Sequence, residues 1–316
     1  MNRAGSETVR ERELQVLSDD PGALPLVRRR HPGRWLAAAV VIFLLASLVL
    51  TLASTKTLQW DVVGEYLFSA DVLKGVRNTI LMTILCMVLG MVLGTLIAVM
   101  RLSPNPVLSG VASLYQWFFR GTPTLVQLIF WFNLSSIFPA FFLQVGGVTL
   151  VDIDTNKAMT PLVAAILGLG LNFGAYYSEV VRAGILSVDE GQSDAAAAFG
   201  LSRYQTLRQI VLPQAMRVII PPTGNELIGM LKWTSLASIV GYTELLRSVG
   251  NVYNVTYQVI PLLIVAALWY LFMTTVLTIG QYFLEKRFAR GTTRSVAVSP
   301  YQRLWRRFKG RAVTPA

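Results

Sequence analysis

From residue 35 to residue 55 the chain reads WLAAAVVIFLLASLVLTLAST, without a single charged side chain. The hydrocarbon core of a bilayer takes about 20 such residues as an α-helix. Further apolar runs, some carrying isolated charges, fall at 78–100, 159–185, 214–240 and 259–284. A segment in lipid must satisfy its backbone donors and acceptors internally, so runs of this length specify an all-α integral membrane protein. With 53% hydrophobic and 14% charged residues, the chain is too apolar for an ordinary soluble domain. The first run is longer than the apolar region of a secretory signal, about 7–15 residues, and reads as an uncleaved anchor.

Residues 106–142 form one more weakly polar block, about 55 Å long as a straight helix at ~1.5 Å per residue. That exceeds a ~30 Å core, so the block must bend or break. The sequence RGTP at 120–123 is the expected place, because proline removes a backbone donor and glycine relaxes the chain. The reading is therefore six spans. Alternation from a cytosolic N-terminus leaves 56–77, 143–158 and 242–258 outside. Arg101, Arg203, Arg208 and both tails then fall inside, as the positive-inside rule requires.

The net charge of +11 is concentrated in the tails. Basic flanks of apolar spans point to anionic lipid, and no nucleic-acid-binding motif accompanies them. Cys86 is the only cysteine and His31 the only histidine, which excludes a disulfide within the chain and leaves no residue set for a structural zinc site. No metal and no cofactor are expected. Within span 78–100, Gly90 and Gly94 form a small-xxx-small pair suited to close helix approach.

Between the fourth and fifth spans lies DAAAAFGLSRYQTLRQIVLP, residues 194–213. The alanines favour a helix, with Asp194 near its start to suit the dipole. Gly200 is placed to end that helix with a positive φ, and Ser202 to cap a second one. Tyr204, Leu207, Ile210 and Val211 recur at helical spacing, and Pro213 is expected to begin a new element. Two readings compete: a loop packed on its own bundle, or a cytosolic knob built for a partner.

The segment resembles the EAA loop of ABC importer permeases, whose pattern is E-A-A, three residues, G, nine residues, I-x-L-P. Asp194, Ala195, Ala196, Gly200, Ile210, Leu212 and Pro213 occupy those positions, with aspartate in place of glutamate. FFRGTPTLVQLIF, GAYYSEVVRAGILSVDEGQ and LPQAMRVIIPPTGNELIGMLKWTSLASIVGYTELL extend the likeness to the polar amino acid permease subfamily, the histidine/glutamine/arginine type. The resemblance implies a five-helix permease domain of type I importers over 75–284, with its coupling loop at 186–213. Outside it lie an extra N-terminal helix and outer linker at 34–74 and basic cytosolic tails at 1–33 and 285–316. It also implies location in a bacterial inner membrane. The partners it implies are a pair of ABC ATPase subunits, an extracytoplasmic amino acid-binding protein and a second permease chain, identical or paralogous. This chain carries no G-x-x-x-x-G-K-[ST] phosphate cradle, so ATP hydrolysis belongs to a separate subunit.

Polar and ionisable residues within membrane spans are costly, and each is a candidate for the solute pathway. Arg120, Glu179, Arg182, Glu226 and Lys232, with Thr122, Gln127, Asn225, Thr234 and Ser235, make up that set. A zwitterionic amino acid suits one cationic and one anionic contact. Asn225 and Glu226 are the preferred pair, because Pro221 and Pro222 are expected to break the span beside them. Competing structural roles are an i,i+3 pair between Glu179 and Arg182, and snorkelling of Arg120 and Lys232. An ion-coupled secondary transporter is the alternative function. An enzyme is disfavoured because no Ser/His or Cys/His set is available.

Overall fold

The computed structural model describes residues 32–145 and 148–288. His31, most of the predicted N-terminal tail and the C-terminal tail beyond residue 288 lie outside the described residues. The chain divides into two units, residues 1–58 and 59–316.

In the first unit, helix α1 (Pro32–Ser54) is apolar all round, and its described side chains are exposed within the chain. Its hydroxyls turn back on the helix: Thr51 donates to the Ser47 carbonyl at 2.8 Å and Thr55 to that of Thr51 at 2.6 Å. Such internal bonding removes the cost of placing hydroxyls in lipid.

The second unit begins with a short amphipathic helix, α2 (Trp60–Leu67), followed by α3 (Ala70–Arg101). Ser69 caps α3 by accepting from the Val72 N–H, so the helix starts before the apolar run that the sequence shows. The third predicted span is two helices, α4 (Pro106–Gly121) and α5 (Thr124–Phe132), divided at RGTP as expected. Thr122 is extended, the conformation imposed on a residue preceding proline. The break is sealed by side chains. Gln127 Nε2 lies 2.9 Å from the Phe119 carbonyl and 2.6 Å from Thr122 Oγ1, and Asn172 also donates to the Phe119 carbonyl at 2.8 Å.

The polar stretch after α5 departs from an all-helical architecture. It forms an antiparallel hairpin of β1 (Ala140–Val145) and β2 (Val148–Asp154), in register from Ala140↔Asp154 to Val145↔Val148 with an irregularity between Leu143 and Gln144. Its valines, isoleucine and threonine have high strand propensity, which the helical reading of the surrounding chain passed over. A single turn, α6 (Thr155–Ala158), leads to α7 (Pro161–Leu186), which Thr160 caps. The lysine ammonium of Lys157, 3.2 Å from Asp154, holds that exposed carboxyl below its usual range.

Helices α3 and α7 form the centre of the unit, and glycine explains their closeness. A Cβ on Gly90 would strike the Phe173 ring and lie 3.0 Å from the Gly170 carbonyl; one on Gly94 would lie 2.7 Å from the Gly174 carbonyl. The predicted small-xxx-small face is thus the contact itself, matched by Gly170 and Gly174 opposite. Contacts rise together along both sequences, so the two helices run parallel. Met82, Cys86, Leu128, Leu169, Phe173 and Met230 are buried around this seam.

Continuing the chain, α8 (Glu190–Ala198), α9 (Arg203–Thr206) and a π-helical turn (Leu207–Val211) precede α10 (Leu212–Trp233). A 3-10 turn (Thr234–Ser238), α11 (Leu245–Thr256) and α12 (Val259–Phe288) complete the described chain. By length and composition, Trp35–Ser54, Ala70–Arg101, Pro161–Leu186 and Val259–Phe288 are each able to cross a membrane.

Two expectations about α10 are corrected. The helix ends at Trp233 instead of reaching residue 240, and it runs unbroken through Pro221 and Pro222. Neighbouring helices pack on both sides of the prolines: Ile219 is buried against Gly184, and Gly224 seats the side chain of Gln281 from α12.

Candidate functional site

The 186–213 segment is built from local rules. Asp189 caps α8 by accepting from the Gly191 N–H at 2.8 Å, and Glu190 occupies the first turn. These two residues serve the helix dipole, so Asp194 sits in the body of the helix and not near its start. Gly200 has φ +77°, with the Gly200 N–H bonded to the Ala197 carbonyl and the Leu201 N–H to that of Ala196. This double closure is a Schellman cap, and its left-handed residue favours glycine. Ser202 and Gln205 then form a reciprocal capping box.

Pro213 begins nothing new. Helical geometry is continuous from Arg203 to Trp233, and the π turn lies immediately before the proline, with the Leu212 N–H reaching the Leu207 carbonyl. Proline cannot donate to the carbonyl four residues back, and a widened turn accommodates its ring. The consequence is mechanical: the two-helix knob is joined to the bundle through one helical rod.

Ala196, Thr206 and Val211 face inward, while Asp194, Ala195, Leu212 and Pro213 are exposed and Ile210 is half-buried. Phe199 is 87% exposed and Tyr204 67%. Phe199 escaped the sequence reading, although its position beside Gly200 pointed to it. A cleft of 560 Å³ separates this knob from the end of α7, with Leu186, Ser193, Asp194 and Arg203 among its walls.

The predicted pathway residues fall into separate groups. Arg120 of α4 and Glu179 of α7 meet at 3.6 Å, and Arg182 binds the same carboxylate at 2.8 Å. The Arg120 guanidinium also lies 5.3 Å from the centre of the Tyr176 ring. One half-buried carboxylate therefore faces two cations. The i,i+3 pair is formed, and it coexists with the contact between helices.

Thr122 and Gln127 belong to the sealed break described above, and Gln127 is buried. Thr234 is buried too, its hydroxyl donating to the Leu231 carbonyl, while Ser235 donates to that of Lys232. In this conformation neither Gln127 nor Thr234 faces open space. Asn225 accepts from Gln281 at 2.9 Å, and Glu226 is half-buried on α10. Lys232 is exposed at the end of that helix.

Comparison with known proteins places this geometry. The arginine transport system permease protein ArgU of Corynebacterium glutamicum is 46% identical over 269 residues, covering 84% of each chain. The histidine/lysine/arginine/ornithine transport system permease protein HisQ of Escherichia coli is 33% identical over 230 residues, covering 73% of this chain and 98% of that one. A crystal structure of an amino acid ABC transporter with histidines superposes with a TM-score of 0.59 at 31% identity, covering 69% of this chain and 94% of that one. The family described as "Binding-protein-dependent transport system inner membrane component" matches residues 87–290, and the chain belongs to that family.

Proposed function

We propose that this chain is the permease subunit of an ATP-driven importer that carries a polar amino acid across a bacterial inner membrane. The observation that carries the reading is the knob at 186–213: two short helices bent at Gly200, exposing Phe199 and Tyr204, and continuous through Arg203–Trp233 with the bundle. A separate ATPase subunit docks on that knob, and its closure drives α10 as a rigid element. Solute arrives from an extracytoplasmic binding protein, and a second permease chain, identical or paralogous, completes the pore. The split helix α4–α5 and helix α10 supplement the apolar helices to give six crossings, with both termini in the cytosol.

The relatives named for arginine and for histidine, lysine, arginine and ornithine support an amino acid with a polar or cationic side chain. Arg120, Glu179, Asn225, Glu226 and Lys232 supply contacts along its route, the Arg120–Glu179–Arg182 cluster keeping one net positive charge for the solute carboxylate. The test is uptake into proteoliposomes holding this chain with its ATPase subunits and binding protein. Transport that requires ATP and the binding protein supports the reading. Uptake by this chain alone under an ion gradient would overturn it in favour of a secondary transporter.

A further inference from the structure

Glu244 lies outside every residue set considered so far, yet it is a fully buried carboxylate. Three donors converge on it. The Leu246 and Arg247 N–H groups approach at 2.8 and 2.7 Å, and the Tyr270 hydroxyl of α12 at 2.7 Å. Among the described residues no Lys or Arg forms an ion pair with it.

Its neighbours are fastened to α3 as well. Thr79 Oγ1 accepts from the Leu245 N–H at 3.0 Å, and Asn78 Nδ2 donates to the Thr243 carbonyl at 2.7 Å. Gly75 leaves room for Ser248, whose Oγ would lie 2.5 Å from any added Cβ. Residues 243–248 are thus held by α3 on one side and α12 on the other.

Capping a helix does not require a buried carboxylate, since an exposed serine or aspartate serves as well. The location distinguishes this one. It follows the end of α10, at the far end of the rod from the 186–213 knob, after a turn that Gly241 makes with φ +85°. Residues 234–244 are the covalent joint between that rod and α11, whose start α3 and α12 hold, in addition to the direct packing of α10 on α12 at Gly224 and Gln281.

We propose that Glu244 is a positioning residue that clamps this joint, so that displacement of α10 moves the helices instead of being absorbed by a slack loop. The role rests on the transport reading above. A carboxylate suits it because two oxygens accept all three donors. An amide would turn one acceptor towards an N–H as a donor.

The experiment measures uptake and ATP hydrolysis in the same proteoliposomes, using the complete complex with Glu244→Gln, Glu244→Asp and Tyr270→Phe. Hydrogen exchange at residues 245–248 of the purified permease provides a second readout. We expect Tyr270→Phe and Glu244→Gln to lower the amino acid carried per ATP by about fivefold at unchanged hydrolysis and membrane abundance. Exchange at Leu246 and Arg247 should rise in parallel, and Glu244→Asp should restore part of the ratio. An unchanged ratio overturns the clamp, and so does a parallel fall of uptake and hydrolysis at unchanged abundance. If Glu244→Gln fails to assemble, Tyr270→Phe, which lacks one hydroxyl, decides alone. If the unaltered complex shows no ATP-dependent uptake, the transport reading fails, and unchanged exchange in Tyr270→Phe then separately overturns the clamp.

Discussion

Replacing Gly200 isolates the bend of the knob from every other contact. A Cβ added there meets nothing within 4 Å, so substitution introduces no clash inside this chain. What it changes is the backbone, since φ is +77° and an L-residue pays about 1–2 kcal/mol to hold that conformation. Relaxing the strain would break the Gly200 and Leu201 N–H bonds to the Ala197 and Ala196 carbonyls, and the second helix would lose its direction. A penalty of 1–2 kcal/mol corresponds to about a 5–30-fold shift from the bent to the unbent loop. Gly200→Ala should therefore reduce binding-protein-stimulated ATP hydrolysis, and Gly200→Val more so because a β-branched side chain tolerates positive φ poorly. Gly200→Asn should retain much of it, since asparagine enters the left-handed region more readily. The assay is stimulated hydrolysis by the reconstituted complex, with co-purification of the ATPase as a check on docking. Full coupling in the alanine and valine variants would refute the reasoning. Asparagine as harmful as valine would assign the effect to side-chain bulk at the docked surface instead.

Gly94→Ala should lower the thermal stability of the solubilised protein by about 1–3 kcal/mol, because the new Cβ meets the Gly174 carbonyl, backbone that cannot rotate away; an unchanged melting temperature argues against close packing there. Gln127→Ala should cost about 1–3 kcal/mol by removing the donor of the Thr122 carbonyl and leaving the Phe119 carbonyl to Asn172 alone, read in the same melting experiment. Glu179→Gln leaves Arg120 and Arg182 facing each other without a carboxylate. After solvent screening of a partly exposed cluster this should cost about 1 kcal/mol, read as a lower melting temperature of the solubilised protein; an unchanged one removes the cluster from the packing of α4 on α7.

Much of this protein was legible without coordinates because the relevant physics is local. Long apolar stretches, three of them charge-free, announced the membrane helices, since a span needs only predominantly apolar residues in sequence. The Gly200 bend, the Ser202 cap and the break at RGTP were equally readable, each depending on φ preferences or hydrogen bonds within a few positions. The failures share the opposite cause. Pro221 and Pro222 suggested a broken helix, but α10 is continuous and packs on Gly184 and Gln281. The sequence did not show that packing encloses Gln127 and Thr234, and the strand pair at 140–145 and 148–154 was hidden by its helical context.

Sequence alone therefore determined that the chain crosses a membrane and carries a bent two-helix knob. The tertiary structure decided that Arg120 shares a carboxylate with Arg182, and that Glu244 is enclosed between α3 and α12. Thr79 and Leu245, on opposite sides of the latter joint, are 166 positions apart in the chain. Periodicity and turn propensity act over a few residues, whereas burial and charge pairing depend on which distant helices meet.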